Sequence, residues 1–292
     1  MLYESEHRFF SKVLQDAFNH EVEVSKVQHV SGGDINHAAR ITSTTGEFFI
    51  KWNQFPESDI FEKESSGLSL LAASCTIDVP KVLGIGQVEK KNYLILENIN
   101  KAHHGRYFWE DFGEKVAKLH QSSSNQFGLD DNNYIGRLPQ LNTPTDKWID
   151  FFITNRLHPQ LKMARSKGII PHTMSDQFEI LFSKLPDLIP DEKPSLLHGD
   201  LWSGNFMCGP NHQAWIFDPA VYFGHREMEI AFTHLFGGYD ERFYQSYESH
   251  FPLEPGFEER VDIHNLYPLL VHVNLFGTSY LSGIQRTISR FT

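Results

Sequence analysis

Leu197-His198-Gly199-Asp200-Leu201-Trp202-Ser203-Gly204-Asn205 reads H-x-D-x-x-x-x-N, and Asp218 follows thirteen residues after Asn205, behind the apolar run Ala214-Trp215-Ile216-Phe217. Phosphoryl transfer from ATP calls for this set of groups in this order. A carboxylate sits beside the attacking hydroxyl, an amide oxygen holds a metal, and a second carboxylate bridges metal and phosphates. Asp200 is the expected base. Asn205 and Asp218 are the expected Mg²⁺ ligands, because both offer hard oxygens. His198 reads as scaffold, since Asp200 already supplies a base. The competing reading is a His-Gly-Asp turn that merely caps a helix.

The sequence upstream weighs against that reading. Helical spacing over 4–19 is followed by strand-like segments at 22–30, 38–42 and 47–51, a helix at 58–74, and strands at 82–88 and 93–96. After Asn100 the pattern turns helical, at 109–121, 145–157, 158–166 and 174–183. Short apolar strands at 195–198 and 215–217 flank the H-x-D loop, and the chain is helical with breaks from Arg226 onward. The predicted fold is α+β: a two-lobed, protein-kinase-like arrangement of a small antiparallel-sheet lobe with one key helix and a larger, mostly helical lobe. The expected lobes are 1–98, binding ATP, and 99–292, carrying catalysis and substrate.

Phe48-Phe49-Ile50-Lys51 ends an apolar strand in a lysine, like the V-A-I-K pattern whose Lys holds phosphates. A half-buried Lys needs an acidic partner. Glu64 aligns with Leu68 and Leu71 on one helix face, whereas Glu62 points elsewhere, so Glu64 is the expected partner. Gly32 and Gly33, between the first two strands, would let backbone N–H groups approach phosphates; a plain hairpin turn is the other reading. Leu96-Glu97-Asn98-Ile99 is the expected hinge, where the backbone at Glu97 and Ile99 reads the adenine edge.

With Asp218-Pro219-Ala220-Val221-Tyr222-Phe223-Gly224-His225-Arg226-Glu227, the H-G-D-L-W-S-G-N string resembles the fructosamine kinase (ketosamine 3-kinase) family. Phe127-Gly128, Asn133-Tyr134-Ile135-Gly136, Pro139-Gln140, Trp148, Phe61-Glu62-Lys63-Glu64 and Gly32-Gly33 extend the resemblance over nearly the whole chain. It implies ATP- and Mg²⁺-dependent phosphorylation of the sugar 3-hydroxyl of ketosamines, either free adducts or glycated protein lysines, in deglycation. It also implies Asp200 as base, Asn205 and Asp218 as metal ligands, and Lys51 with Glu64 as the phosphate clamp. Trp202 offers an indole face to a sugar or supports the loop from the core. His225 lines the same pocket or is a local hydrogen-bonder. Glu229 is expected to brace the metal loop. Asp34 stands where some relatives carry a cysteine, so a thiol switch there is not available. Pro219-Ala220 replaces the Phe-Gly of protein kinases, and no A-P-E signature follows, which argues against a regulated protein kinase.

Two further functions remain open on the sequence: a small-molecule kinase of the same fold acting on an aminoglycoside or a choline-like amino alcohol, and a nucleotide-binding module without turnover. The formal charge of -11 over 292 residues argues against nucleic acid as a partner. Cys75 and Cys208 form no metal spacing and read as two buried thiols of a reducing compartment. The first residues show no basic head before an apolar run, and the segment from Tyr267 to Leu281, interrupted by His272, Asn274 and Ser279, is too short and polar to span a membrane. A cytoplasmic monomer is expected. His103-His104 and Lys90-Lys91 read as exposed, and Phe9-Phe10 and Phe151-Phe152 as core.

Overall fold

The computed structural model describes residues 2–30, 36–55 and 57–291. Gly32, Gly33 and Asp34 lie outside the described residues. In chain order the elements are α1 (Leu2–Phe18), β1 (Val24–His29), β2 (His37–Ser43), β3 (Gly46–Asn53), α2 (Ile60–Ala73), β4 (Val82–Val88), β5 (Lys91–Glu97), α3 (Phe108–His120), β6 (Asn133–Ile135), β7 (Leu138–Gln140), α4 (Trp148–Phe151), α5 (His158–Ser166), α6 (His172–Leu188), β8 (Ser195–Leu197), β9 (Phe206–Cys208), β10 (Ala214–Ile216), β11 (Tyr222–Gly224), α7 (Glu227–Leu235), α8 (Glu241–His250), α9 (Phe257–His264), α10 (Leu266–Phe276) and α11 (Leu281–Ile288). A widened, π-type turn over Phe152–Leu157 joins α4 to α5.

The chain forms two compact units, Met1–Arg106 with Met207–Asp218, and Tyr107–Phe206 with Pro219–Thr292. The units part eight residues beyond the expected 98/99 division, and Met207–Asp218 returns to the first. The reason is local pairing. Ala102 N–H donates to Cys208 O at 2.8 Å, and Ile216 N–H donates to Asp78 O at 3.0 Å.

In the first unit an antiparallel sheet runs β1-β2-β3-β5-β4. Strand alternation sorts its faces. Ile50, Trp52, Tyr93 and Ile95 meet Phe10, Val13 and Leu14 of α1. Phe49, Leu94 and Leu96 face the other way, onto Phe61 and Leu68 of α2. Lys51 follows Ile50 and therefore points to the α2 side.

The second unit is mainly helical, around a core that includes Phe151, Phe152, Phe178, Leu185 and Leu270. Its sheet content is short: β8 with β11, and the hairpin β6–β7. That hairpin was not anticipated, because strands of three residues around Gly136 are too brief to show alternation. The expected helix at 174–183 is longer, running from His172 to Leu188.

Phe9, Phe10, Phe151 and Phe152 are buried, and His103 and His104 are exposed. One expectation fails at the cysteines. Cys208 is buried, but Cys75 is exposed. It turns the chain out of α2 at φ +55, on the solvent side of the helix end.

A buried ionic hub fixes the start of α7. Both Glu227 oxygens accept from Arg260, at 2.8 and 2.6 Å, and Oε2 also takes His264 Nε2 at 3.0 Å. His225, Glu227 and His264 bring ligand-type atoms within 4.8 Å of one another. The Arg260 cation already occupies the carboxylate, so the cluster serves as an ion-pair hub. Burial would raise the Glu227 carboxyl, but Arg260 and His264 pull it down to about 2. Burial, reinforced by His264, holds His225 down at about 4.

The signs of these two shifts agree. An unfolded histidine takes its proton near 6.5, so His225 contributes stability that is lost as pH falls from about 6.5 to about 4. Glu227 contributes stability that is lost between about 4.5 and about 2. Each shift corresponds to about 3 kcal/mol. Thermal melts should therefore fall progressively below pH 6.5. In a His225→Phe variant the decline between pH 6.5 and 4.5 should be shallower, with the half-buried His234 and His272 rings, also held below their ordinary value, supplying what remains. A melting temperature flat between pH 6.5 and 4 in the parent protein would contradict the assignment.

Candidate active site

In the first unit, Lys51 Nζ donates to Glu64 Oε1 at 2.7 Å and to Asp218 Oδ1 at 2.5 Å. Lys51 is 6% and Glu64 9% exposed, while the Asp218 side chain is 42% exposed. Burial alone would lower the lysine, but the two carboxylates raise it above its ordinary value, so it stays cationic. Burial outweighs the pull of Lys51 on Glu64 and pushes that carboxyl up to about 7. Glu62 is exposed, so the helix-face argument separated the two glutamates correctly. Asp218 sits at φ +60, an uncommon conformation for a residue with a side chain.

The segment expected as the hinge lies in the same unit. Glu97 N–H donates to Lys81 O at 2.9 Å. Ile99 is buried, and a Cβ added at Gly209 would lie 2.9 Å from its side chain.

In the second unit, the loop after β8 is held by its own side chains. Asn205 Nδ2 donates to Asp200 O and to Asp200 Oδ2, both at 2.8 Å. With both amide hydrogens spent on the loop, the carbonyl oxygen is what Asn205 offers to a cation. His198 is fully buried, and its Nδ1 accepts the Asp200 N–H at 3.3 Å, the scaffold role expected of it. The Trp202 indole is half-buried and lies against Gly204, where an added Cβ would come within 2.4 Å of the ring. Its other neighbour is Phe236, at 6.2 Å between centroids.

Glu229 braces this loop from α7. It accepts the His198 N–H at 3.0 Å and the Gly199 N–H at 2.6 Å. His120 of α3 donates Nε2–H to the same carboxylate at 3.0 Å, and its Nδ1 pairs with the Tyr247 hydroxyl of α8 at 2.8 Å. Burial would raise Glu229, but His120, His198 and the Gly199 amide outweigh it, and the carboxyl is held below its usual range. Sequence reading found Glu229 but missed His120 and Tyr247. The signal for His120 was available: it lies four residues after Val116 and eight after Phe112, on the apolar stripe of α3.

A second polar network holds the segment after Asp218. Gln140 Nε2 donates to Ala220 O at 2.9 Å, and Asn133 Nδ2 to Val221 O at 2.8 Å. Tyr267 and Asn142 complete it: the Tyr267 hydroxyl donates to Gln140 Oε1 at 2.7 Å, and Asn142 Nδ2 to Asn133 Oδ1 at 2.9 Å. Arg156, fully buried, donates to Asn142 Oδ1 at 2.8 Å and lies 4.0 Å from the Tyr222 ring.

His225 is not on a cleft wall. It is fully buried, 3.1 Å from Pro190 O and against Trp148 and His264. The alternative reading of it as a local hydrogen-bonder is the one its surroundings match. The groups that line a cleft with Asp200 are instead Gly199, Tyr222, Tyr267, Pro268 and His272, with Glu229 and apolar neighbours. In the sequence His272 stands out only as an interruption of an apolar segment.

The family model described as fructosamine kinase matches residues 7–292. A Vibrio parahaemolyticus protein named probable ketoamine kinase is 39% identical, covering 96% of this chain and 97% of its own. The Arabidopsis thaliana chloroplastic protein-ribulosamine 3-kinase is 35% identical, with 92% and 83% covered. A Haemophilus somnus crystal structure, provisionally described as a fructosamine-3-kinase, superposes at TM-score 0.87 with 33% identity and 97% of each chain covered. The kinase-like fold extends to an aminoglycoside phosphotransferase at TM-score 0.61 and 16% identity, a likeness of fold alone.

Proposed function

The chain belongs to the fructosamine kinase family, a family of phosphotransferases that act on the hydroxyl of ketosamines, and from that premise we propose that it transfers the γ-phosphate of ATP to the sugar 3-hydroxyl with Asp200 as base. The observation that carries the assignment is the Asn205–Asp200 pairing at 2.8 Å, which fixes a carboxylate on a loop braced by Glu229. In the proposed step, the 3-hydroxyl oxygen forms its bond to the γ-phosphorus as its proton passes to an Asp200 oxygen. The bond from that phosphorus to the β,γ-bridging oxygen breaks, and ADP leaves with the electron pair. Asp200 then releases its proton to solvent.

Lys51, kept cationic by Glu64 and Asp218, grips the phosphates, and the backbone at Glu97 and Ile99 takes the adenine edge. Gly32 and Gly33 keep their sequence-based role at the phosphates. Asn205 Oδ1 and the exposed Asp218 carboxylate each offer a hard oxygen of the kind Mg²⁺ takes, and the charge of that ion would offset that of the phosphates. Trp202, half-buried against Gly204, offers the open part of its indole to the sugar. The free thiols support a cytoplasmic setting, and the net charge of -11 supports a small-molecule substrate over nucleic acid. No helix among the described residues is long and apolar enough to cross a membrane. Large apolar side chains left exposed, such as Phe55, Leu83 and Ile180, are scattered along the chain, which supports a monomer.

The test is ATP consumption with Mg²⁺ on ribulose–lysine and fructose–lysine adducts, beside an Asp200→Asn variant. Turnover should fall at least ~100-fold in the variant, the usual scale for a lost general base. Equal turnover by both proteins would remove Asp200 from the reaction. A preference for an aminoglycoside over both adducts would move the substrate assignment to that class.

A further inference from the structure

The cleft beside Asp200 has a chemical character that the transfer step alone does not use. Among the described residues lining it, the charged groups are Asp200 and Glu229, and with Glu229 bound to the N–H groups of His198, Gly199 and His120, Asp200 is the carboxylate that faces a ligand; the rest are mostly apolar or aromatic. His272 enters this lining from α10. Its Nδ1 lies 2.7 Å from Pro268 O, a carbonyl that only accepts, so Nδ1 carries the hydrogen. Burial keeps the ring below its ordinary value, against the opposing effect of that carbonyl. The ring is therefore neutral at pH 7, and Nε2 presents a lone pair.

Aromatic faces surround this imidazole. Phe236 lies 4.8 Å, Tyr280 5.0 Å and Phe276 5.5 Å from it between centroids. Phe236 in turn meets Trp202, two residues from Asp200. These rings are not closed into the core: Phe276 is 47% exposed and Phe236, His272 and Tyr280 are half-buried. Gly237 and Gly277 follow directly on Phe236 and Phe276, and a Cβ added at either would meet nothing within 4 Å. The Asp200 carboxylate, an imidazole acceptor and open aromatic faces together suit a cation. A hydroxyl finds the same acceptors, but only a cation also gains from the ring faces.

Resting on the ketosamine reading, we infer that His272, framed by Phe236 and Tyr280, receives the protonated amine of the substrate beside Asp200 and so selects a cationic amine over a neutral one. The substrate amine is protonated at neutral pH, and its N–H donates to His272 Nε2 while its charge lies over the ring faces. A desolvated cation–π contact is worth about a 30-fold preference.

The test uses two substrates on the intact protein: the fructose adduct of propylamine and its N-acetyl derivative, the same sugar bearing a neutral amide. The parent protein should favour the amine by about 30-fold in kcat/KM. His272→Phe keeps the ring volume and removes the acceptor. It should lower the amine-to-amide ratio of kcat/KM about tenfold. Phe236→Leu, a separate removal of one ring face, should erode the same preference, and it keeps the test open if the first variant folds poorly. An unchanged amine-to-amide ratio in both variants, or a parent protein without preference, would overturn the inference while leaving the kinase reading intact. A parent protein that phosphorylates neither compound would overturn the ketosamine reading, and the inference with it.

Discussion

Gly199→Ala is expected to reduce kcat about a thousandfold and to lower stability by about 3 kcal/mol, because the loop that carries Asp200 has no room for a methyl group. Gly199 sits at φ +84, and an added Cβ would lie 2.1 Å from the Ala220 carbonyl oxygen. The Cβ position is fixed by the backbone and the carbonyl belongs to main chain, so no side-chain rotation relieves the overlap. The left-handed conformation adds about 1–2 kcal/mol for any residue with a Cβ. Relief requires the loop to move away from Ala220. That movement would stretch the 2.6 Å Gly199–Glu229 bond and the 2.9 Å bond from Ala220 N–H to His198 O. A displacement of about 1 Å at a reacting group is enough to lose about 100-fold, and here Asp200, the proposed base, and the segment just after Asp218 would both shift.

Gly168→Ala makes the appropriate control. Gly168 also has positive φ, +69, but a Cβ there meets nothing within 4 Å. That variant should lose only about 1 kcal/mol and no activity. Single-turnover rates and thermal melts of the two variants separate backbone strain from crowding. A Gly199→Ala protein within tenfold of the parent rate would show that the loop does not fix Asp200.

The groups legible in the sequence were those whose spacing encodes their geometry. Asp200 and Asn205 lie on one loop, so a five-residue interval was enough to join them. Lys51 and Glu64 sit on different elements, yet each had a local signal: the V-A-I-K-like end of an apolar strand for the lysine, the apolar stripe of α2 for the glutamate. Residues that meet only through tertiary packing were not legible. His120 and Tyr247 lie 127 positions apart and converge on Glu229 from different helices. Gln140 reaches Ala220 across 80 positions, from a strand of three residues. His225 illustrates the opposite error. Its proximity in sequence to the D-P-A string suggested a pocket, but β11 delivers it into the core, where Trp148 and His264 pack against it. The lobe boundary was also blurred, because the hairpin of β9 and β10 returns to the first unit through hydrogen bonds from residues more than a hundred positions away.

Glu229→Gln should lower kcat about 100-fold and stability by about 3 kcal/mol, with KM for ATP unchanged. The carboxylate offers acceptors only, and it meets donors only: the N–H groups of His198 and Gly199 and the Nε2–H of His120. Glutamine has nearly the same shape but one oxygen and one NH₂ group. Whichever way its amide is turned, the NH₂ faces at least one main-chain N–H. His120 can change tautomer to accept a hydrogen bond; the peptide N–H of His198 cannot. A buried N–H is then left unpaired, at about 1–3 kcal/mol, and the charge that strengthened the remaining bonds is gone. The loop should lose its fixed position while Lys51, Glu64 and Asp218, held in the first unit by their own contacts, keep their grip on nucleotide. Rate and nucleotide affinity would therefore part company. His120→Phe, which leaves the carboxylate and both peptide bonds in place, should cost only about tenfold in kcat. If Glu229→Gln raised KM for ATP as much as it lowered kcat, the carboxylate would be supporting the nucleotide site as well, and its role as a brace confined to the catalytic loop would be wrong.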